Sequence, residues 1–312
     1  YINDGKPPAR AVENVSFTLR EGELMGLVGE SGCGKTTLML GLLRLLPAAG
    51  QIMDGEVWFG DKELTALTEQ EMEAVRWKGI SIVFQGAMNA LNPVRTVGDQ
   101  IEEAIVKHNP LIKGEALEAR VDELLDLVGI TSKHRDHYPH QYSGGMRQRA
   151  MIALALACNP KVLLADEPTT ALDATVQIQI LLLLRELQRE LGMAVIFVTH
   201  DVGVACEVAD RVAVMYAGRL VESGSVAAVM QKPQHPYTAG LLGSIVHGQT
   251  RDQRIEAIPG APPDLAGLPA GCSFAPRCKF AADACRAEVP AARQFGGGRL
   301  VRCVLADAAV PA

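Results

Sequence analysis

The sequence of 312 residues contains no apolar run that approaches the ~18 to 20 residues a helix needs to cross a bilayer. The longest candidates, Ile178 to Leu184 and Met193 to Val198, are much shorter and lie close to charged residues. The opening residues also lack a basic stretch followed by an apolar one, which is the pattern of an export signal. We therefore expect a cytoplasmic location.

A surplus of basic residues is also missing. The chain has 30 basic and 36 acidic residues, a net charge of -6. Because a nucleic-acid partner requires a basic surface to meet its phosphates, this balance argues against one. A content of 48% hydrophobic and 21% charged residues is typical of a folded globular chain, and the length corresponds to about two domains.

The first 230 residues alternate short apolar runs with helical patterns, which predicts an α/β fold. The predicted strands are 24–28, 80–84, 162–165, 194–198 and 211–215. The predicted helices include 35–46, 98–107, 115–128, 145–158 and 174–191. Because the pattern between 97 and 157 is almost wholly helical, we expect a helical subdomain inserted into the sheet domain. Prolines become frequent from Lys232 onward, which places a linker and a small irregular C-terminal domain at 232–312 after a first domain at 1–231.

A glycine-rich segment, Gly29-Glu-Ser-Gly-Cys-Gly-Lys-Thr36, lies between a predicted strand and a predicted helix. It fits the phosphate-loop pattern, in which glycines let successive backbone N–H groups point at phosphate oxygens and the helix N-terminus adds its positive end. We expect Lys35 to reach the β- and γ-phosphates and the Thr36 hydroxyl to bind Mg²⁺. The candidate binding residues of this loop are Gly29, Ser31, Gly32, Cys33, Gly34, Lys35, Thr36 and Thr37. A simple glycine-rich turn would not explain this context.

Three polar side chains follow predicted strands. Asp166 ends an apolar strand, Glu167 comes next, and His200 ends the strand that begins at Met193. Hydrolysis of Mg·ATP needs one carboxylate for the metal shell and another for the attacking water, so Asp166 is predicted for the first role and Glu167 for the second. Carboxyl ends of parallel strands share one sheet edge, where ligands bind, and this favours a catalytic His200 over a structural one.

Four of the seven cysteines, Cys272, Cys278, Cys285 and Cys303, lie near the C-terminus with spacing C-x5-C-x6-C-x17-C. In a chain without an export signal such a cluster indicates a metal rather than disulfides. A short zinc knuckle is missing, and six basic against two acidic residues between the first and last of these cysteines would offset a negatively charged 4Fe-4S cluster. Zinc and four unrelated thiols remain alternatives.

Tyr142-Ser-Gly-Gly-Met-Arg-Gln-Arg149 resembles the signature motif of the ABC-type ATPases, with departures at Tyr142 and Met146. The resemblance implies that Ser143, Gly144 and Gly145 hold the γ-phosphate of an ATP bound to a second subunit. It also implies an ABC-type P-loop ATPase domain with a RecA-like sheet core.

The same resemblance assigns further residues. Gln85, after Phe84, corresponds to the glutamine that contacts Mg²⁺ and the attacking water. Asp173 corresponds to the loop that crosses to the partner subunit, and His200 to the histidine that contacts the γ-phosphate. Tyr1 lies where the family has an aromatic ring that stacks on adenine.

Several longer segments narrow the resemblance to the ATPase subunits of bacterial dipeptide, oligopeptide and nickel importers: 29–37, Leu91-Asn-Pro-Val94, 142–149, His235-Pro-Tyr-Thr238 and Gly271-Cys-Ser-Phe-Ala-Pro-Arg-Cys278. Gly86-Ala87 is a departure, because Asp-Pro is usual there. The resemblance implies two membrane-spanning permease subunits, a paralogous ATPase subunit in a heterodimer, an extracytoplasmic substrate-binding protein, and a 4Fe-4S cluster in preference to zinc.

The function expected from this resemblance is ATP-driven import of di- or oligopeptides at the cytoplasmic face of the membrane. Import of nickel chelates or another small solute is the alternative. A soluble ABC ATPase in DNA repair or translation usually has a long coiled coil or two ATPase domains. Only ~106 residues separate Thr36 from Tyr142 here, and the chain has one phosphate loop. A third hypothesis is a module in which the tail senses iron or redox state.

Overall fold

The computed structural model describes residues 1, 8–86, 90–170, 172–244 and 258–306. Within these residues the chain forms ten strands and ten α-helices. The strands are β1 Leu24–Val28, β2 Trp58–Phe59, β3 Lys62–Glu63, β4 Ile80–Val83, β5 Val162–Asp166, β6 Ala194–Thr199, β7 Arg211–Tyr216, β8 Arg219–Ser225, β9 Arg293–Phe295 and β10 Arg299–Val301. The helices are α1 Lys35–Leu42, α2 Glu69–Val75, α3 Val97–His108, α4 Glu115–Leu127, α5 Gly144–Leu156, α6 Ala174–Leu191, α7 Val202–Val208, α8 Val226–Gln231, α9 Pro236–Gly243 and α10 Asp283–Ala287.

The chain divides into two compact units. The first unit comprises residues 1–18, 25–54 and 199–312, and the second comprises 19–24 and 55–198. Helices long and apolar enough to span a membrane are absent from the described part of the chain.

The sheet of the first unit is mixed. β1 is fully buried and pairs in parallel with β7, from Met25 opposite Arg211 to Val28 opposite Val214. β7 and β8 form an antiparallel hairpin, and β10 pairs antiparallel with both β8 and β9. The hairpin turns at Ala217 and Gly218, whose φ angles are 46° and 81°. Two consecutive left-handed residues match the twist of the strands that they join.

The second unit contains three parallel strands in the order β4, β5, β6, with Ser81 opposite Leu163 and Asp166 opposite Val198. Every residue of β6 is buried, as expected for a parallel strand with both faces covered. α3, α4 and α5 form the predicted helical insertion. α3 begins with a capping box between Thr96 and Asp99.

The α/β prediction is confirmed, and the predicted strands agree with the observed ones to within one residue. α1 is shorter than expected, since it ends at Leu42 instead of Leu46. Arg44 has φ 52°, a left-handed conformation that a continuing helix does not contain. Five strands were not predicted. Four of them have two or three residues, which is too short for a periodic pattern, and the fifth, β8, has seven: β2, β3, β8, β9 and β10.

Candidate nucleotide site

The phosphate loop connects β1 to α1 within the first unit. Gly34 caps α1 with φ 103°, and a Cβ atom at this residue would lie 2.1 Å from the carbonyl oxygen of Ala11. A Cβ atom at Gly29 would lie 2.2 Å from the carbonyl oxygen of Met215. Both positions therefore accept glycine alone, as a loop that folds closely around phosphate requires.

Lys35 is the first residue of α1 and is 5% exposed. Its Nζ donates hydrogen bonds to the carbonyl oxygens of Gly29 at 2.6 Å and Glu30 at 3.0 Å, so the ammonium group bends back over the loop. Thr36, next in the helix, is exposed. Burial raises the pKa of the Cys33 thiol, which therefore stays protonated at neutral pH.

Tyr1 lies beside this helix. Its hydroxyl is 3.3 Å from Oγ1 of Thr37, within hydrogen-bond distance. The aromatic ring also approaches Gly50, where an added Cβ atom would lie 3.1 Å from a ring carbon. The ring is thus near the first turn of α1, and its stacking on adenine stays a prediction.

The carboxylate of Glu167 is held from two sides in the second unit. Nε2 of Gln85 and Oγ1 of Thr170 both donate to its Oε2, each at 2.9 Å. Glu167 has φ 46°, an uncommon conformation for a residue with a side chain. The structure thus brings together two of the predicted catalytic residues and adds Thr170. The only signal for this role of Thr170 in the sequence was its position three residues after Glu167.

Asp166 and His200 follow the strand order. Asp166 ends β5, is 2% exposed and lies opposite Val198, which precedes His200 by two residues in the chain. The backbone N–H of Glu167 donates to the carbonyl oxygen of Val198 at 3.2 Å. His200 is exposed just beyond the end of β6. These side chains therefore follow the carboxyl ends of neighbouring parallel strands, as predicted.

The signature segment lies at the start of α5. Ser143 is the N-cap, and its Oγ accepts the N–H of Met146 at 3.2 Å. Gly145 packs against α6 so tightly that a Cβ atom would lie 2.9 Å from Cγ1 of Val176. Asp173 caps α6, because its Oδ1 accepts the N–H of Val176 at 3.0 Å. Ser143 and Asp173 therefore have a structural role, while the helix start at Gly144 has N–H groups suited to phosphate.

Tyr142, which departs from the family pattern, is 3% exposed. Its hydroxyl donates to the carbonyl oxygen of His134 at 2.9 Å, and burial raises the pKa of Tyr142 to about 12. Tyr142, which directly precedes the signature serine, is thus anchored to the backbone at His134.

The predicted metal cluster of the tail has no counterpart in the described residues, because no three His, Cys, Asp or Glu side chains there are arranged to hold a metal ion. Cys272, Cys278, Cys285 and Cys303 are free thiols. Burial raises the pKa of Cys272 and Cys278, and it raises the pKa of Cys303 to about 11. The expected 4Fe-4S or zinc site therefore lacks the ligand geometry it needs in this structure.

A contact that sequence analysis missed joins the tail to the phosphate loop. The guanidinium of Arg277 makes two hydrogen bonds to the carboxylate of Glu30, at 2.6 and 2.9 Å. No short motif predicts a pair separated by 247 residues.

Comparison with known proteins gives two family matches. Residues 12–170 match the ABC transporter family, and residues 221–285 match the C-terminal region of oligopeptide/dipeptide transporters. A putative peptide import ATP-binding protein of Brucella melitensis is 49% identical over 308 residues, which cover 94% of this chain and 91% of that protein. A dipeptide transport ATP-binding protein of Bacillus subtilis is 46% identical over 301 residues, covering 96% and 90%.

Solved structures agree with this. An ATP-binding cassette solved as a dimer after hydrolysis, with ADP and phosphate, is 33% identical, with a TM-score of 0.61 over 69% of this chain and 90% of that one. A Clostridium perfringens subunit of a cbiONQ transporter is 30% identical, with a TM-score of 0.64 over 71% and 84%. The fold, the loops and the relatives thus lead to one conclusion: the chain belongs to the ABC transporter family, as one of its ATPases.

Proposed function

We propose that this chain is the ATP-hydrolysing motor subunit of an importer for di- or oligopeptides, bound to the cytoplasmic face of the membrane. The observation that carries the proposal is the match of residues 221–285 to the C-terminal region of oligopeptide/dipeptide transporters, following an ABC ATPase match at 12–170. The relatives named as peptide, dipeptide and oligopeptide import proteins support it. Two permease subunits and an extracytoplasmic binding protein would complete the importer and choose the solute.

In this proposal the phosphate loop binds ATP, and Lys35 exchanges the carbonyl oxygens of Gly29 and Glu30 for phosphate oxygens. The hydroxyl of Thr36, an exposed residue, and the carboxylate of Asp166 are hard oxygen donors, which fit Mg²⁺. When bound, Mg²⁺ neutralises charge on the transferred phosphoryl group. Tyr1 would stack on adenine.

Glu167 is the proposed general base. Gln85 and Thr170 both donate to one oxygen of its carboxylate, which fixes the orientation of the carboxylate for activating water. His200 would contact the γ-phosphate. The second half of each site would come from Ser143, Gly144, Gly145 and Asp173 of a partner ATPase, which we propose to be a paralogue. The solved cassette dimer supports the arrangement of two chains.

The Glu167→Gln variant tests the general base. It should bind Mg·ATP with unchanged affinity, while turnover falls about 100-fold or more. Glu190→Gln, at an exposed position of α6, is the matched control and should hydrolyse ATP normally. Turnover near the wild-type rate in the Glu167 variant would contradict the assignment.

The cargo is tested on the detergent-extracted complex isolated through this chain and supplied with its binding protein. Peptides of two to five residues and nickel chelates are added separately while ATP turnover is measured. Stimulation by peptides alone supports the proposal, and stimulation by nickel chelates alone favours the alternative importer. If no membrane subunit accompanies the chain and no solute changes the rate, a soluble ABC ATPase becomes the better explanation.

For the tail, we propose that the four thiols gather around a 4Fe-4S cluster on loading, with zinc as the alternative. The backbone N–H of Leu305 donates to Sγ of Cys303 at 3.4 Å, a contact of the kind that supports a sulfur ligand. Anaerobic purification followed by iron, sulfide and zinc analysis tests this. One zinc per chain without iron would replace the cluster, and absence of both metals would overturn the proposal.

A further inference from the structure

Glu30, the second residue of the phosphate loop, is hydrogen-bonded by a side chain of the C-terminal segment, residues 258–306. Arg277 is 8% exposed and donates from both terminal nitrogens to the Glu30 carboxylate. Its Nε donates to the carbonyl oxygen of Pro259 at 2.8 Å, and Nη1 lies 3.3 Å from the hydroxyl of Tyr216. The hydrogen bonds to Glu30 raise the pKa of Arg277 above its ordinary value. The guanidinium plane is therefore fixed on three sides.

A second contact to Glu30 comes from Tyr237 of α9. The hydroxyl of Tyr237 accepts the backbone N–H of Glu30 at 2.9 Å, and the ring is fully buried. It packs against the rings of Tyr216, at 4.6 Å between centroids, and Phe274, at 5.4 Å. Burial raises the pKa of Tyr237, so the hydroxyl stays neutral at physiological pH. Neither group is part of a nucleotide-binding motif.

The contacts from Arg277 and Tyr237 fix the backbone and side chain of Glu30. The backbone N–H groups expected to bind phosphate come directly after Glu30 in the loop. The carboxylate of Glu30 meets Arg277, its N–H meets Tyr237, and its carbonyl oxygen accepts Nζ of Lys35. Beyond Glu30 come Gly32 and Gly34, both with positive φ angles. Glycine loses more conformational freedom on ordering than any other residue, so an untethered loop would pay that cost when it closes around phosphate.

We propose that Arg277 and Tyr237 are positioning residues for ATP: they hold the phosphate loop ready through Glu30 and make the C-terminal segment part of the nucleotide site. This inference rests on the proposed binding of ATP by Gly29–Thr37. It predicts that releasing Glu30 weakens nucleotide binding with little change in the chemical step, because both residues act through Glu30 and lie outside the phosphate-loop motif.

The experiment measures the Kd of a fluorescent ATP analogue with Mg²⁺, and KM and kcat for ATP, on the full chain. Arg277→Met keeps the apolar stem and should raise Kd and KM about tenfold, with kcat at saturating ATP within about twofold. Glu30→Gln should have a similar effect. The double variant should be no worse than either single variant, since both remove one interaction. Arg277→Lys, which retains the charge without the paired hydrogen bonds, should restore part of the affinity.

Two further variants complete the design. Tyr237→Phe keeps the ring and should raise Kd about threefold. Arg286→Met is the matched control, because Arg286 lies in the same segment, is 61% exposed and meets only Asp283 at 3.4 Å in the described structure. Its Kd should equal that of the wild type.

Circular dichroism and thermal unfolding accompany every Kd. Folded Arg277→Met and Glu30→Gln proteins with wild-type Kd would overturn the inference. If Arg277→Met does not fold, wild-type Kd in both Glu30→Gln and Tyr237→Phe overturns it. Lys35→Ala separates this outcome from failure of the proposed function: nucleotide binding that survives Lys35→Ala refutes ATP binding by the loop itself.

Discussion

His235 is closed off from solvent at the start of α9, and this makes the stability of the protein depend on pH. The residue is 1% exposed, and its Nδ1 accepts the backbone N–H of Tyr237 at 3.0 Å. Its own backbone N–H donates to the buried carboxylate of Glu222 at 2.9 Å. Burial lowers the pKa of His235 to about 3. The folded protein therefore holds a neutral imidazole throughout the mildly acidic range.

The sign of the effect follows from proton counting. In the unfolded chain the histidine titrates near pH 6.5, so between pH 6.5 and pH 3 the unfolded state binds one more proton than the folded state. Stability from this residue is fully present above pH 6.5 and falls as the pH is lowered toward 3. Each pH unit in this window costs about 1.4 kcal/mol, so acidification from pH 7 to pH 5 should remove about 2 kcal/mol.

The assay is urea unfolding at pH 7, 6 and 5 for the wild type and for His235→Asn. Asparagine does not titrate here and keeps a side-chain acceptor for the N-cap of α9. The variant can be less stable at every pH because it is smaller, so the quantity compared is the slope of unfolding free energy against pH. Titration of the many carboxylates contributes equally to both slopes. Parallel slopes for the two proteins would refute the reasoning.

Three further predictions concern the loop, a buried ion pair and the carboxylate of the proposed base. Gly34→Ala places a methyl group 2.1 Å from the Ala11 carbonyl oxygen and should abolish ATP-analogue binding, whereas Gly41→Ala, within α1 and with no atom within 4 Å of the added Cβ, should keep binding and raise stability by up to about 1 kcal/mol on thermal unfolding. Equal loss of binding in both would contradict the steric argument. Arg299→Met leaves the fully buried Glu222 carboxylate without its guanidinium partner and should reduce the free energy of unfolding by about 3 to 5 kcal/mol in a urea titration. Thr170→Val removes one donor to Glu167 and should lower kcat about tenfold at unchanged ATP-analogue Kd, so an unchanged kcat would show that the Thr170 hydrogen bond does not orient the carboxylate.

Helices and strands in which apolar residues form a long regular pattern were predictable from sequence. α6 was predicted at its observed bounds because its apolar side chains recur at helical spacing over 18 residues. β1 was predicted equally well, as an apolar run beside a glycine-rich loop. The C-terminal segment was not, because its short strands and turns take their shape from distant partners: β10 pairs with β8, far away in the chain.

The site was predictable to the same extent. The phosphate loop, the signature segment and Asp166-Glu167 are each contiguous in sequence. The order of residues within each segment was therefore enough to predict its role. The link between Gln85 and Glu167 could be inferred only through family resemblance, since 82 residues separate them. Tyr237 and Arg277 lie in two segments that carry the family resemblance, 235–238 and 271–278, but nothing in either segment indicated a contact with Glu30. The cysteine prediction stays a proposal, because spacing along the chain does not specify whether four thiols converge on a metal.

The left-handed backbone of Glu167 has a consequence for evolution. A residue with a Cβ atom at φ 46° carries strain of about 1 to 3 kcal/mol, which glycine would largely relieve. A library selected for heat resistance alone should therefore drift toward glycine at this position and lose the proposed base. A library selected for solute uptake should keep glutamate and gather its stabilising changes elsewhere. The residue found at position 167 would thus distinguish a population selected for heat resistance from one selected for solute uptake.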